Sequence, residues 1–439
     1  MTVQSILFHS MVLLAATTQP SFSAEIPKAP VPVSPFIRVV YGYADTMLKH
    51  GRYAYGPQKT GIFLSALDRQ TLTPMTNRPV LKGVGSGAGA DPLHDQNLLR
   101  LLSTLTDLSA KPHYRAAADA ELKWFLENTH GGKNRYAPWD GHLLWDVLQD
   151  EFVVISTAGD FSRPWLLWDR CFALAPEASQ RFALLTTNAT DSPRKDGYCI
   201  RSWAAAFTHT RDDQFLRRID ALVRRYEDPS RSNDRLSALL SLAIDCEGAA
   251  QRVPEPLASR LRAVADRVDD QFCSFSHDVA THRGFLISAA KDGGVDSEPR
   301  TLAWRASTGS DTTAQVGMMC VSRYDNSAHV GYRDLILAAA DSYLDSLPDE
   351  NEDAWPGTFG HAISLELAAW RHSANWKYME RARQLGSVAV EKILGHECFA
   401  AGQLEGRSLR NHHRRGYACP CFARTAFANP PHHRRALPG

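Results

Sequence analysis

The stretch Leu236-Ser237-Ala238-Leu239-Leu240-Ser241-Leu242-Ala243-Ile244 decides the fold. It is apolar nearly all round at helical length, and such a helix belongs inside a protein. A polar turn follows, then a second helix running to Phe272 with Arg, Asp and Glu on one face, which belongs outside. The same plan recurs along the chain. One copy runs from Asn97 through Leu108, turns at Lys111-Pro112-His113, anchors on Tyr114 and continues to Asn128. Another starts at Ile200, turns at Arg211-Asp212-Asp213, anchors on Phe215 and ends near Tyr226. Two more run from Thr312 past Tyr332 to Leu347 and from His361 past Tyr378 to Leu394. Strand signals are scarce, with Phe152-Val153-Val154-Ile155 the best candidate. The expected fold class is all-α: a toroid of helical hairpins, inner helices ringed by outer helices, with few or no strands.

Composition agrees. A chain of 439 residues, 44% hydrophobic and 22% charged, buries a large core. With 28 Gly and 24 Pro it is neither collagen-like nor disordered, and no apolar run reaches the ~20 residues a bilayer requires. Basic and acidic residues nearly cancel, 49 against 48. That balance hides an asymmetry. Seven of the 49 are arginines between Gly406 and Gly439 (Arg407, Arg410, Arg414, Arg415, Arg424, Arg434, Arg435), a stretch with no acid, which leaves 42 basic against 48 acidic groups before it. Neither part reads as a nucleic-acid or membrane binder, and a monomer is expected.

The N-terminus has an apolar segment from Met11 to Ala16 and a small-residue run, Ser21-Phe22-Ser23-Ala24. Residues 1–24 are therefore expected to be a signal peptide, and the protein secreted or periplasmic. Pro27, Pro30, Pro32 and Pro35 make residues 25–37 a stiff lead into a toroid domain over 38–405. Cys171, Cys199, Cys246, Cys273 and Cys320 lie far apart in apolar helical contexts and read as buried thiols rather than a disulfide framework.

Several motifs resemble a secreted bacterial family labelled pectate-lyase-like, built on the (α/α) toroid of six-hairpin carbohydrate-active enzymes. They are Tyr43 to Arg52, His94-Asp95-Gln96-Asn97, Arg163-Pro164-Trp165 and Gly309 to Gln315, and the resemblance spans roughly residues 38 to 395. It implies the toroid strongly and the chemistry weakly.

In a toroid, the segments leading into inner helices line the concave end, where a ligand site is expected. Asp91 to Asn97 is the first, with His94, Gln96 and Asn97 available beyond what capping consumes. Tyr136 to Asp146 is the second, gathering Tyr136, Trp139, His142, Trp145 and Asp146. Aromatic faces stack on sugar rings, although a core role for the indoles competes. Trp165 and Trp168 follow, then Tyr198 and Arg201 one helical turn apart with Trp203 beyond them. Asp311, Gln315 and His361 complete the set.

Two chemistries fit that inventory. A lyase neutralises a uronate carboxylate, removes the C5 proton and protonates the leaving oxygen. Arg201, Asn97 and Gln96 suit neutralisation, and Tyr198, Tyr136, His94 or His142 suit proton transfer. A glycoside hydrolase or sugar epimerase is the alternative, the hydrolase needing two carboxylates from Asp95, Asp146, Asp169 and Asp311. A non-catalytic glycan binder is the third reading. The expected partner is an acidic polysaccharide or oligosaccharide. No cofactor or metal site is called for by these residues, and a divalent cation such as Ca2+ remains open.

After Gly406 the helical pattern stops. His412, His413, Cys419, Cys421, His432 and His433 are ligand types, but C-x-C is poorly spaced for zinc. Codons permitted for Ser408 to Phe427, read one nucleotide later, can encode a capped apolar helix of the kind the ring needs. Residues 406–439 are thus expected to be an aberrant basic tail produced by a frameshift.

Overall fold

A computed structural model describes residues 34–391, apart from 55–57, 65–66, 68–70, 75–88, 91, 130–142, 148–149, 155–163, 187–191, 228–234, 289–298, 306–310, 328 and 350–355. The expected signal peptide, most of the Pro-rich lead and the basic tail lie outside the described residues.

The protein is an all-α toroid. Helix α1 (Pro35–His50) opens it, with Pro35 at the first helical position, where its missing N–H costs nothing. Five expected hairpins follow: α2 (Pro92–Ser109) with α3 (Pro112–Thr129), α6 (Pro193–Thr210) with α7 (Asp213–Val223), α8 (Leu236–Ala250) with α9 (Leu257–Ser274), α10 (Thr313–Ser327) with α11 (Gly331–Asp341), and α12 (Pro356–Ser373) with α13 (Trp376–Ala389). A short pair not expected from the sequence, α4 (Trp168–Leu174) and α5 (Pro176–Leu185), fills the sector between α3 and α6. The inner helices α6, α8, α10 and α12 pack side by side in that order, each backed by its own outer helix. Because every inner helix is reached through an antiparallel partner, these inner helices run parallel and their N-termini share one end.

The helix periodicity explains the layers. Helix α8 buries Leu236, Leu239, Leu240, Leu242 and Ala243, and also Ser237, Ser241, Asp245 and Cys246, so it faces protein on all sides. Outer α7 buries only Phe215, Ile219, Leu222 and Val223, a single stripe. The anchors Tyr114, Phe215, Tyr332 and Tyr378 are all buried between layers, as expected. Cys171, Cys199, Cys246 and Cys320 are buried free thiols and Cys273 is half-buried.

The hairpin turns repeat one device. After α2, α6 and α12 the chain passes through a non-glycine residue in the left-handed region: Ala110 (φ 57°), Arg211 (φ 58°) and Ala374 (φ 55°). The preceding hydroxyls Ser109, Thr210 and Ser373 donate back to Leu105, Ala206 and Ala369 and accept the N–H two residues on, from Lys111, Asp212 and Asn375. Asp212 and Asn375 then cap α7 and α13 by accepting the Gln214 and Lys377 N–H groups. One small sheet interrupts the helices, antiparallel in the order β1 (Gly89–Ala90), β2 (Leu143–Asp146), β3 (Glu151–Val154). β3 falls on the expected strand. β2 corrects an expectation, since Tyr136 to Asp146 was read as leading into an inner helix. Its last four residues instead pair with Glu151–Val154, the run whose β-branched content favours a strand.

Candidate functional site

The N-terminal ends of the inner helices carry a converging set of charged side chains. From α6, Arg194 donates to the Ser237 hydroxyl at the start of α8 (3.1 Å) and pairs with Asp311 ahead of α10 (3.6 Å). Arg235, just before α8, holds the other Asp311 oxygen at 3.0 Å, and Ser237 Oγ donates to Asp311 Oδ1 at 3.1 Å. Asp311 sits in the left-handed region at φ 61°, which aspartate tolerates better than most residues, and its N–H donates to Gln315 Oε1. Three inner helices are thus tied together at one mouth.

Two turns deeper, Arg201 of α6 donates through Nε to Asp245 of α8 at 2.5 Å. Asp245 is almost wholly buried, and burial pushes its carboxyl up even though Arg201 opposes that shift. Gly197 allows this contact: a Cβ there would stand 2.8 Å from Asp245 Oδ2 and 3.2 Å from Leu242 Cα, so α6 approaches α8 closely only at glycine. Tyr198 is buried beside the same groups, and burial pushes its phenol up to about 12, with Arg194 and Arg201 opposing and Asp245 adding to the shift. At neutral pH it is a proton donor.

From α2, Asp95, Gln96 and Asn97 are all buried. Gln96 is committed to structure: it donates to Leu93 O and Pro164 O (3.0 Å each) and accepts from the Leu166 N–H (2.9 Å), which fixes the segment ahead of α4. Tyr43 of α1 is pushed up by burial and by the Asp95 charge. His361 of α12 is buried, and burial lowers its imidazole to about 3, so it is neutral at physiological pH.

The structure brings Asp311 and Gln315 to the mouth and sets Tyr198 and Arg201 one and two turns below it on α6. Three indoles expected to bind sugar are corrected to core positions. Trp145 meets Trp124 edge-on at 4.9 Å, Trp165 is enclosed by Phe125 and Phe182, and Trp203 lies buried under Arg218. A large apolar side chain gains more from full burial than from a half-wet ligand face. Asp146 is half-buried on β2, opposite Gly89 and Glu151. His94 lies on α2 without a described side chain, and Tyr136, Trp139 and His142 fall outside the described residues. Asp169 stands at the opposite end, bonded to His209 in the last turn of α6 and to Arg252 just past the C-terminus of α8. Arg100, Arg194, Arg235 and Asp245 were not expected. The signal was present in Leu98-Leu99-Arg100-Leu101-Leu102 and in Ala243-Ile244-Asp245-Cys246, where one charge interrupts an apolar inner helix. Among the described residues no group of three or more metal-ligand side chains lies together.

Residues 63–159 match the family model described as periplasmic pectate lyase. The resemblance read from the sequence is met by that family over a segment holding α2, α3 and the sheet. Solved structures similar to this chain include a sugar epimerase from a ruminal bacterium, 11% identical over 84% of this chain and 91% of that one with a TM-score of 0.44. Another is cellobiose 2-epimerase from Bacillus thermoamylovorans B4167, 10% identical over 84% of this chain and 90% of that one, with a TM-score of 0.46. No curated protein matches the sequence. No described helix is long and apolar enough to cross a membrane.

Proposed function

We propose that the protein is a polysaccharide lyase acting on a uronic-acid polymer of the pectate type, exported to the periplasm or beyond. The observation that carries this reading is a cation and a proton donor one helical turn apart on inner helix α6: Arg201, held by Asp245, and the buried phenol of Tyr198, which stays protonated at neutral pH. The family description over residues 63–159 supports both the chemistry and the compartment.

In elimination, binding a cation to the uronate carboxylate makes the C5 proton acidic. A base takes that proton, the C4–oxygen bond breaks, a C4–C5 double bond forms, and the departing oxygen takes up a proton. Arg201 is the neutralising cation, assisted by Asn97. Tyr198 is the acid for the departing oxygen, since its phenol stays protonated at neutral pH. His94 or His142 is the base, imidazole being half-neutral near pH 6.5. A hydrolase instead needs a carboxylic acid and a carboxylate flanking one bond. Asp311 at the mouth and Asp245 below it are each committed to arginine, which disfavours that use.

The test is product analysis on polygalacturonate, alginate and glycosaminoglycans. Near-ultraviolet absorbance from an unsaturated uronate is expected on at least one. Reducing ends released without that absorbance identify a hydrolase, and neither signal identifies a binder.

A further inference from the structure

Residues 275–287 and 299–304 form a crossover between outer helix α9 and the mouth, and their backbone does there what a capping side chain usually does. Arg235 gives α8 no side-chain cap. The first N–H of that helix, from Leu236, donates instead to Ile287 O at 2.9 Å. On α10 the Thr313 N–H donates to Leu302 O (3.0 Å), and the Thr313 hydroxyl meets that of Thr301 at 3.0 Å. The two arms of the crossover hold each other. The Thr301 N–H donates to Phe285 O (2.8 Å), the Phe285 N–H to Thr301 Oγ1 (2.9 Å) and the Ile287 N–H to Pro299 O (2.9 Å). Gly284 permits this closeness at φ 89°, since a Cβ there would collide with Thr301 O. The crossover therefore sets where α8 and α10 begin, and with them Arg235, Ser237 and Asp311.

One side chain fastens the crossover to α9. His277 accepts the Leu286 N–H through Nδ1 (3.2 Å) and donates through Nε2 to Phe272 O (2.9 Å). An amide N–H only donates and a carbonyl only accepts, so the two bonds together require the neutral ring with its proton on Nε2. Phe272 and Phe285 flank that ring, with centroids at 4.4 and 5.4 Å. Protonation would set a second N–H against that of Leu286. Burial brings the imidazole down to about 4; Phe272 O opposes the shift, the Arg300 charge adds to it and Asp278 opposes it. The other charged and titratable groups here are engaged. Arg283 and Arg300 both pair with Asp278 (3.5 and 3.1 Å), and Tyr332 of α11, whose ring also meets Phe272, donates to Asp269.

We propose that His277 is a positioning residue for the mouth: neutral, it latches the crossover that fixes the starts of α8 and α10, and protonated, it lets that crossover go. Its consequence for substrate rests on the reading of the mouth as a uronate site, whereas its hold on the two helix starts does not. An imidazole freed by opening titrates near its ordinary 6.5, and the latched one at about 4. The open arrangement therefore takes up a proton that the closed one refuses. Closure is at full strength above about pH 6.5 and weakens as the pH falls towards 4, about tenfold per unit within that window.

The test is hydrogen exchange of the full chain at pH 7 and pH 5, with rates corrected for the intrinsic pH dependence of exchange. Opening of the crossover at 285–287 and of the helix starts at 235–239 and 312–316 is expected to rise more than about tenfold at pH 5, with 117–126 of α3 unchanged. His277→Asn, whose Oδ1 can stand in for Nδ1 as an acceptor that does not titrate, is expected to abolish the rise. No rise in the unaltered protein overturns the proposal, as does a rise that persists in His277→Asn or one confined to 285–287. If His277→Asn does not fold, the unaltered protein decides: the rise must appear in all three segments and spare α3. A saturating galacturonate trimer is expected to suppress the rise at 285–287, because a ligand of the mouth selects the closed arrangement. A bound trimer that leaves the rise untouched contradicts the coupling to the mouth. Lyase activity is read separately. A pH-dependent latch without absorbance gain on any polyuronate sinks the lyase reading and keeps this one, and absorbance gain with exchange indifferent to pH does the reverse.

Discussion

The two ends of the ring are built on different rules. At the turn end, α2, α6 and α12 finish in the same way, with a hydroxyl folding back, a left-handed residue and a hydrogen-bonded restart. At the mouth no two inner helices begin alike: α2 offers Asp95 and Asn97, α6 offers Arg194 and Arg201, α8 offers Ser237 and Asp245, and α12 offers His361. Repetition marks what the architecture needs, because each hairpin must solve the same turn. Departure from repetition marks what a ligand needs. Between the ends, buried charges divide in the same manner. Arg323 is satisfied by Asp269, with Tyr332 donating to the same carboxylate at 2.7 Å, whereas the half-buried Arg100 has a sealed Nη1 without a hydrogen-bond partner.

The contrast breaks most sharply at Asp269. Asp269→Ala strands Arg323 in the core and is expected to cost about 3–5 kcal/mol of stability in denaturant titration. Loss of activity in that variant should follow unfolding only. Arg201→Met attacks the mouth instead and is expected to lower kcat/KM on the polyuronate about a hundredfold or more, the usual cost of removing a group that stabilises transition-state charge. Equal effects of both substitutions on kcat/KM, at temperatures where both variants are folded, would erase the distinction between scaffold charge and site charge.

Glu366 of α12 sharpens the contrast from the scaffold side. Both of its carboxyl oxygens are sealed without a hydrogen bond, and burial raises its pKa well above 4.5. The sign is definite. Above about pH 4.5 the unfolded chain releases this proton and the folded chain holds it, so stability falls with rising pH until the folded group ionises. Glu366→Gln removes that loss. The variant is expected to gain about 1.4 kcal/mol on the native protein for each pH unit above 4.5 until the folded pKa is reached, and nothing below about pH 4. Denaturant titrations at pH 4 and pH 7 check it, and an equal difference at the two values contradicts it.

The smallest effects belong to the turns. Asn375→Ala deletes the cap of α13 and is expected to cost about 1 kcal/mol. Ala374→Gly relieves the left-handed strain and is expected to return about 0.5–1 kcal/mol. Neither should change KM, and a change in KM would place the turn end in contact with substrate.

The hairpins were legible because helical period and burial report the same thing twice, once in apolar Ala238 to Ile244 and again in one-sided α7. The turns at Lys111-Pro112 and Arg211-Asp212 were legible from their punctuation. The sheet was half legible: β3 carries β-branched residues, but β1 is a two-residue pairing that no pattern announces. At the site, Tyr198 and Arg201 could be placed one turn apart from spacing alone. The indoles could not be divided between core and cleft, since Trp145, Trp165 and Trp203 look alike in sequence whichever way they face. Arg194, Arg235 and Asp311 come from three segments, the outer two more than a hundred residues apart, and only the ring closes that distance.

The central claim is that substrate meets the mouth and not the turn end. Hydrogen exchange with and without a saturating galacturonate trimer tests it directly. Protection is expected across 193–201, 236–245 and 313–316, with 106–112, 207–213 and 370–377 unchanged. Protection confined to the turn end, or absent from all these segments while the trimer is bound, contradicts it.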